Sequence, residues 1–110
     1  MIANDLLKGT LRTIILKLLS ENQELYGYEI TQKVEELSNG GIKLTFGALY
    51  PVLHKLESEG LLKTNKQHTG KRTRIYYSLT QQGKKTSKIK LAEFTEFVNT
   101  MQYILRPAIK

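Results

Sequence analysis

The sequence lacks cysteine and tryptophan, and it contains only two prolines, two histidines and one aspartate. Without cysteine it can form no disulfide and no thiolate metal site, so we expect it in the reducing cytoplasm. No apolar run approaches the roughly 18 residues that a membrane-spanning helix needs. The N-terminal segment is interrupted by Lys8, Arg12 and Lys17 at helical spacing, which does not resemble a signal peptide.

The same shortages argue against an enzyme or a metal centre. The only aspartate, Asp5, lies near the N-terminus, and His54 and His68 have no carboxylate at a shared spacing. Candidate metal ligands are few and lack the spacing of a metal site. Gly40-Gly41 is not followed by the Lys-Ser/Thr of a phosphate-binding loop, so it indicates a turn. We therefore expect neither catalysis nor a cofactor.

Positive charge is concentrated in one part of the chain. The formal net charge is +7, and no acidic residue occurs between Glu59 and Glu93. The basic residues of that stretch are Lys63, Lys66, Lys71, Arg72, Arg74, Lys84, Lys85, Lys88 and Lys90. A segment of one sign within a mixed chain indicates binding to a polyanion, with a solvated basic face as the alternative. Charge alone does not decide between these two.

Apolar periodicity predicts two helices in the first part of the chain. The first covers about residues 5–20, with Gly9 as a weak point, and the second about residues 28–37. Ser38 to Gly41 is a strong turn signal. Ile42 to Leu44 alternates briefly, which favours a short strand.

The segment from Leu44 to Leu62 predicts a helix with two unlike faces. Its apolar stripe consists of Leu49, Val52, Leu53 and Leu56, and its other face carries Gly47, Tyr50, Pro51, His54 and Lys55. Thr45 is the expected N-cap, and Glu59-Gly60 ends the helix. Pro51 lacks a backbone donor, so either the helix bends there or its regular part begins near Tyr50.

A basic hairpin is predicted directly after this helix. Leu61 to Asn65 and Thr73 to Leu79 are the expected strands, joined by a polar loop over residues 66–72. Two strands that follow a helix-turn-helix form a winged helix. We therefore predict a mainly α fold with a small β-hairpin, in which residues 1–80 form a winged helix-turn-helix DNA-binding domain.

Residues 81–110 are predicted to provide a C-terminal dimerisation helix, which runs from about Gln81 to Leu105, is capped by Thr80 and is followed by Pro107. Apolar residues recur in it at heptad spacing, and Phe97 and Ile104 widen the stripe. The predicted dimer interface comprises Leu91, Phe94, Phe97, Val98, Met101 and Leu105. The alternative is a helix that folds back onto its own domain.

Three segments resemble the PadR family of bacterial transcriptional regulators, in particular its short subgroup. They are YGYEI at residues 26–30, GALYPVLHKLESEGLL at residues 47–62 and YYSLTQQGK at residues 76–84. The resemblance covers nearly the whole chain. It implies a winged-helix homodimer that binds operator DNA, usually as a repressor. It also implies release from DNA by small aromatic or drug-like compounds, as in many members.

The resemblance also implies roles for individual residues. Tyr50 matches the tyrosine of the family's recognition helix, Gly47 the small residue before it, and Thr45 the polar residue that opens it. Lys71, Arg72 and Arg74 fall on the basic wing and its return strand. Phe94 falls at an aromatic position of the dimer interface in some short members. The absence of tryptophan argues against a stacking pocket of the indole kind.

These residue types suit contacts with duplex DNA. The N-terminal end of a recognition helix meets base edges in the major groove, so Thr45, Gly47 and Tyr50 are expected there, with His54 and Lys55 further along. Tyr50 has a competing interpretation as a half-buried aromatic at a helix junction. On the wing, phosphate contacts are expected from Lys66, His68, Lys71, Arg72 and Arg74.

Together with the resemblance, these patterns predict a homodimeric winged-helix repressor that binds an inverted-repeat operator. One rival is a winged-helix module that binds a protein or ligand without specific DNA binding. Another is an RNA-binding or nonspecific DNA-binding protein that acts through the basic hairpin alone. A small-molecule effector pocket near Phe94, Phe97 and Met101 is a further hypothesis, with plain dimer core as its alternative.

Overall fold

The computed structural model describes residues 4–108 and comprises five helices and a three-stranded sheet within that range. The helices and strands are α1 (Asn4–Lys8), α2 (Leu11–Glu21), β1 (Leu25–Tyr26), α3 (Gly27–Leu37), α4 (Phe46–Ser58), β2 (Leu62–Thr69), β3 (Arg72–Leu79) and α5 (Gln81–Leu105). The predicted combination of a helix-turn-helix, a wing and a long C-terminal helix is confirmed. Among residues 4–108, none of the helices combines the length and the apolar character that a membrane span requires.

The N-terminal region differs from the single helix that was predicted. The chain breaks between α1 and α2 at Gly9 and Thr10. The Thr10 hydroxyl donates a hydrogen bond to the Leu7 carbonyl at 3.0 Å, and the Thr10 amide donates to the same carbonyl at 3.0 Å. Glycine's conformational freedom and this local bonding favour a turn over a continuous helix.

One hydrophobic core lies between α2, α3, α4 and the base of the sheet. Each of these helices buries an apolar stripe, and β2 and β3 contribute the residues nearest the sheet base. The fully or nearly fully buried side chains include Ile15, Leu16, Ile30, Val34, Leu49, Leu53, Leu56, Leu62, Tyr77 and Leu79. Burial raises the pKa of the Tyr77 hydroxyl, since it disfavours the phenolate.

The sheet is antiparallel, with the strand order β1-β3-β2. Its hairpin is longer than predicted, because strand pairing continues to Thr69 and Arg72 through much of the predicted 66–72 loop. Gly70 adopts a φ of 62° in the tight turn between them. The short strand β1 was not predicted, and Ile42 to Leu44 does not form the expected strand.

α4 ends in a turn that starts the wing. Gly60 adopts a φ of 78°, and its amide donates to the Glu57 carbonyl at 2.9 Å. The amide of Leu61 donates to the Leu56 carbonyl at 3.0 Å. This pair of bonds is the Schellman arrangement, in which a left-handed glycine reverses the chain after a helix.

α5 then begins in direct contact with this turn. The Thr80 hydroxyl donates to the Gly60 carbonyl at 2.6 Å, and the Thr80 amide donates to the Leu61 carbonyl at 3.1 Å. The same hydroxyl accepts the Gly83 amide at 3.0 Å, as an N-cap does. A Cβ atom on Gly83 would lie 2.0 Å from the Leu61 carbonyl oxygen. The first turn of α5 therefore rests on backbone, and only glycine fits there.

We predict that Gly83→Ala destabilises the protein by about 1–3 kcal/mol, because α5 must shift away from the Leu61 carbonyl. This loss outweighs the roughly 1 kcal/mol that alanine ordinarily gains over glycine within a helix. The free energy of unfolding is measured by urea denaturation. Gly9→Ala is the control, since a Cβ there would meet no atom within 4 Å. Equal effects of the two substitutions would contradict the close contact.

Candidate nucleic-acid interface

α4 begins where the sequence predicts. Thr45 precedes its first helical residue, Phe46, and the Thr45 hydroxyl oxygen accepts a hydrogen bond from the Ala48 amide at 3.2 Å. The helix is unbroken to Ser58, so Pro51 lies inside it. Proline lacks the amide that would bond to the carbonyl four residues earlier, which belongs to the exposed Gly47. The missing hydrogen bond therefore lies at the exposed N-terminal end of the helix.

The two faces of α4 separate sharply. Leu49, Leu53 and Leu56 are completely buried, whereas Val52 is only half-buried. The predicted contact residues Thr45, Gly47, His54 and Lys55 are all exposed. The structure thus leaves these four available to a ligand along the first three turns of the helix.

Tyr50 takes a different position from the other predicted contacts. It is half-buried against the core, and its hydroxyl lies over the start of α3, where a Cβ on Gly27 would be 2.5 Å from the oxygen. Its ring centroid lies 5.7 Å from that of Phe46 and 6.1 Å from that of His54. Among the described residues the hydroxyl has no hydrogen-bond partner, so it remains free to donate or accept.

The wing is fixed beside α4. The Thr64 hydroxyl donates to a Glu57 carboxylate oxygen at 3.3 Å, which links β2 to the last turns of the helix. A second contact joins the wing to the segment before β1, since the Gln67 amide donates to Glu24 at 2.6 Å. Both donors belong to β2 and lie on opposite faces of it, so the two bonds hold this strand relative to the helical core.

The predicted basic residues of the wing divide between two faces. Cross-strand partners share a face, so Lys66 (opposite Ile75) and His68 (opposite Thr73) lie on the face that carries Tyr77 at its base. Arg72 and Arg74 lie on the other face, and Lys71 lies in the turn. The sequence analysis predicted these five residues as one group of phosphate contacts, but the structure places them on two faces of the hairpin and in its turn.

Arg74 is the most constrained of the five. Its guanidinium carbon lies 4.6 Å from the centroid of the Tyr26 ring, and that ring meets Tyr76 edge-on at 5.3 Å. A cation over an aromatic face is held by the ring quadrupole. This aromatic cluster was not predicted, although Tyr26 and Tyr76 face each other across β1 and β3.

Within the described residues, the remaining cations of the wing form no ion pair. In the described part of the chain the ion pairs are Arg12–Glu59, Lys17–Glu21 and Lys90–Glu93. A hydrogen bond from the Arg12 guanidinium, at 2.5 Å, lowers the pKa of the Glu59 carboxyl. Glu59 is therefore paired with a residue of α2 rather than with the wing. None of the three ion pairs includes Lys66, Lys71 or Arg72, so these residues remain uncompensated positive charge within the described part of the chain.

α5 leaves much of its predicted apolar stripe uncovered. Leu91, Phe94 and Met101 are half-buried, whereas Phe97, Val98 and Leu105 are exposed by 53%, 37% and 76% of their surface. The exposed residues Tyr103 and Ile104 extend this apolar end. The N-terminal half of α5 packs on α2, and beyond Phe94 its side chains are mostly solvated.

In the described part of the chain, Phe94 and Phe97 of the hypothetical effector pocket border two separate cavities. Phe94 borders an apolar cavity of about 200 Å³ between α2, Leu37 and Leu91. Phe94 and Phe97 together border a second cavity of about 300 Å³ beside Gly9 and Arg12. Met101 is not among the residues that line either one. Residues 4–108 also contain no cluster of side chains that could hold a metal ion.

A family model described as the transcriptional regulator PadR-like family matches residues 15–89. The transcriptional regulator Rv3488 of Mycobacterium tuberculosis is 36% identical over 77 residues, which cover 70% of this chain and 68% of that protein.

Solved structures agree with the sequence matches. A transcriptional regulator from Clostridium thermocellum superposes with a TM-score of 0.84 at 28% identity, covering 96% of this chain and 100% of that one. Bacillus subtilis PadR, in complex with operator DNA, superposes with a TM-score of 0.63 at 26% identity. That match covers 91% of this chain but 49% of the Bacillus protein.

The family model spans more than half of the chain, and the Mycobacterium relative matches over two thirds of both proteins. The family and these relatives are transcriptional regulators rather than enzymes. The resemblance seen in the LYP and YY-x-LT motifs is thereby confirmed, and the chain belongs to the PadR-like family of transcriptional regulators.

Proposed function

We propose that the protein is a cytoplasmic homodimeric repressor that binds an inverted-repeat operator through α4 and the wing. The observation that carries this proposal is that α4 buries Leu49, Leu53 and Leu56 and exposes Thr45, Gly47, His54 and Lys55. The basic hairpin lies beside it, and Lys66, Lys71 and Arg72 form no ion pair within the described residues. The operator complex of Bacillus subtilis PadR supports duplex DNA as the partner.

In this proposal α4 and the wing make different kinds of contact with DNA. The N-terminal half of α4 enters the major groove, where side chains meet base edges. Lys66, His68, Lys71 and Arg72 bind phosphates beside it, which positions the protein but conveys little sequence information. Arg74 contributes charge from the opposite face of the wing while it remains stacked on Tyr26.

The two copies would be joined through α5. A second α5 helix would cover Phe97, Val98 and Leu105, which solvent contacts in the single chain. A twofold dimer places its recognition helices about 34 Å apart, one turn of DNA, and so requires an inverted repeat. The cavities beside Phe94 and Phe97 are the places where a small aromatic effector would bind and weaken the complex with DNA.

We predict specific binding to a promoter fragment upstream of the protein's own gene. Fluorescence anisotropy should give an affinity about 10³-fold or more above that for a scrambled fragment. The affinity should fall steeply with salt, because phosphate contacts release counterions, and Lys71→Ala should reduce the slope by about one unit. Equal affinity for both fragments would favour nonspecific binding, and absence of DNA binding would favour an interaction module.

We predict that Tyr50→Phe weakens operator binding by about 0.5–1.5 kcal/mol, the usual contribution of a hydrogen bond. The substitution keeps the ring that packs on the core and removes only the free hydroxyl. Tyr103→Phe, at an exposed position of α5, is the matched control. If Tyr50→Phe binds as the wild type does, Tyr50 acts only as a packing residue between α3 and α4.

We predict that Val98→Asp combined with Leu105→Asp converts the dimer into a monomer, as measured by light scattering at micromolar concentration. Two carboxylates in an apolar interface would be desolvated without partners. The control is Asn99→Asp combined with Thr100→Asp, which adds the same charge to α5 outside its apolar stripe. This variant should leave the mass unchanged. A dimer that persists in the first variant would place the interface elsewhere.

A further inference from the structure

Phe46 is a large apolar residue that is not buried in the core. It is the first residue of α4, directly after the Thr45 cap, and 49% of its surface is exposed. The core receives α4 through Leu49, Leu53 and Leu56, one turn and more further along. Phe46 thus lies at the open tip of the helix, in the part that would first meet a ligand of α4.

The surroundings of Phe46 are unusual for a surface that binds a polyanion. The exposed residues of the first two turns are Phe46, Gly47, Ala48 and Pro51, and none of them carries a charge or a polar side chain. The Thr45 oxygen before them already accepts the cap bond from Ala48. His54 and Lys55 provide polar groups only one to two turns later. The tip of α4 is therefore suited to apolar contact rather than to hydrogen bonding.

The ring is also held in place. Its centroid lies 5.7 Å from that of Tyr50 with an interplanar angle of 46°, and Tyr50 in turn rests on Gly27. Gly27, Tyr50 and Phe46 form a packed series from the start of α3 to the tip of α4. A side chain positioned in this way loses little additional conformational entropy when it binds.

We infer that Phe46 is a specificity-determining residue that contacts the C5-methyl group of a thymine in the operator. The inference rests on the proposed function, since it requires the tip of α4 to enter the major groove. In that groove, thymine's methyl is the distinctive apolar feature of a base pair, and phenylalanine is among the side chains that contact it. A hydrogen-bonding residue at the tip would instead select other bases.

Replacement of single thymines in the operator by deoxyuridine tests this contact, because only the methyl group is removed. Wild-type protein should lose affinity by about three- to tenfold at one thymine in each half-site, the scale of one buried methyl and its neighbours. Phe46→Ala should bind the unmodified operator more weakly by a similar factor. It should then be insensitive to deoxyuridine at that position, and Phe46→Leu should retain part of the sensitivity.

The controls separate this contact from other effects. Ile89→Ala removes another exposed apolar side chain, on α5 outside the heptad stripe, and should leave both affinities unchanged. Thermal unfolding of each variant verifies the fold. If Phe46→Ala responds to deoxyuridine as the wild type does, or binds the operator normally, the inference is overturned while the proposed function stands. If the wild type does not discriminate operator from scrambled DNA, the proposed function fails, and this inference fails with it.

Discussion

The arrangement of the whole molecule depends on the contact between the first turn of α5 and the backbone at Leu61. Gly83 allows the two backbones to approach, and Thr80 bonds both to Gly60 and to Gly83. This junction joins the end of α4, the start of the wing and the start of α5. The Gly83–Leu61 approach and the bond from the Thr80 amide to the Leu61 carbonyl are made by backbone groups, and the other two bonds use only the short Thr80 hydroxyl. The angle between these three elements is therefore fixed by close geometry rather than by the packing of long, adjustable side chains.

A second constraint acts on α4 itself. Its three completely buried leucines pack one side of the helix against the core, so the exposed side chains of the first turn are not needed for core packing. The Arg12–Glu59 ion pair and the Thr64–Glu57 hydrogen bond both act near the C-terminal end of the helix. The exposed residues Phe46, Gly47, Ala48 and Pro51 are thereby held in position mainly by contacts that other residues of α4 make, so their exposed surface is available to a ligand.

The main elements could be predicted from the sequence because their signals are local. The leucine spacing of α4, the Thr45 and Thr80 caps and the glycine after Glu59 each have a direct structural consequence. The extent of the wing could not be predicted, since residues 66–72 are polar and do not alternate. Strand pairing there is carried by backbone hydrogen bonds, which depend little on side-chain identity.

The tertiary contacts of the site could not be predicted from the sequence for a different reason. Gly83 looks neutral in sequence, because its importance comes from a carbonyl 22 positions away. The direction of the Tyr50 ring depends on the missing side chain of Gly27, and the position of Arg74 depends on Tyr26 across the sheet. Helical and strand periodicity assign a residue to a face, but they do not show which distant residue it meets.

The junction at Leu61 also bears on how the proposed dimer would recognise DNA. The C-terminal half of α5 would contact the partner, while its first turn is bonded to the end of α4. A change in the angle between two paired α5 helices would therefore be passed to the recognition helices as a rigid movement. If the operator is an inverted repeat, as proposed, it fixes the separation of the two recognition helices, and such a movement would weaken binding without any contact to DNA. The cavities beside Phe94 lie between α2 and the part of α5 where the proposed dimer interface begins. A molecule bound there would be in a position to change the angle between the paired α5 helices.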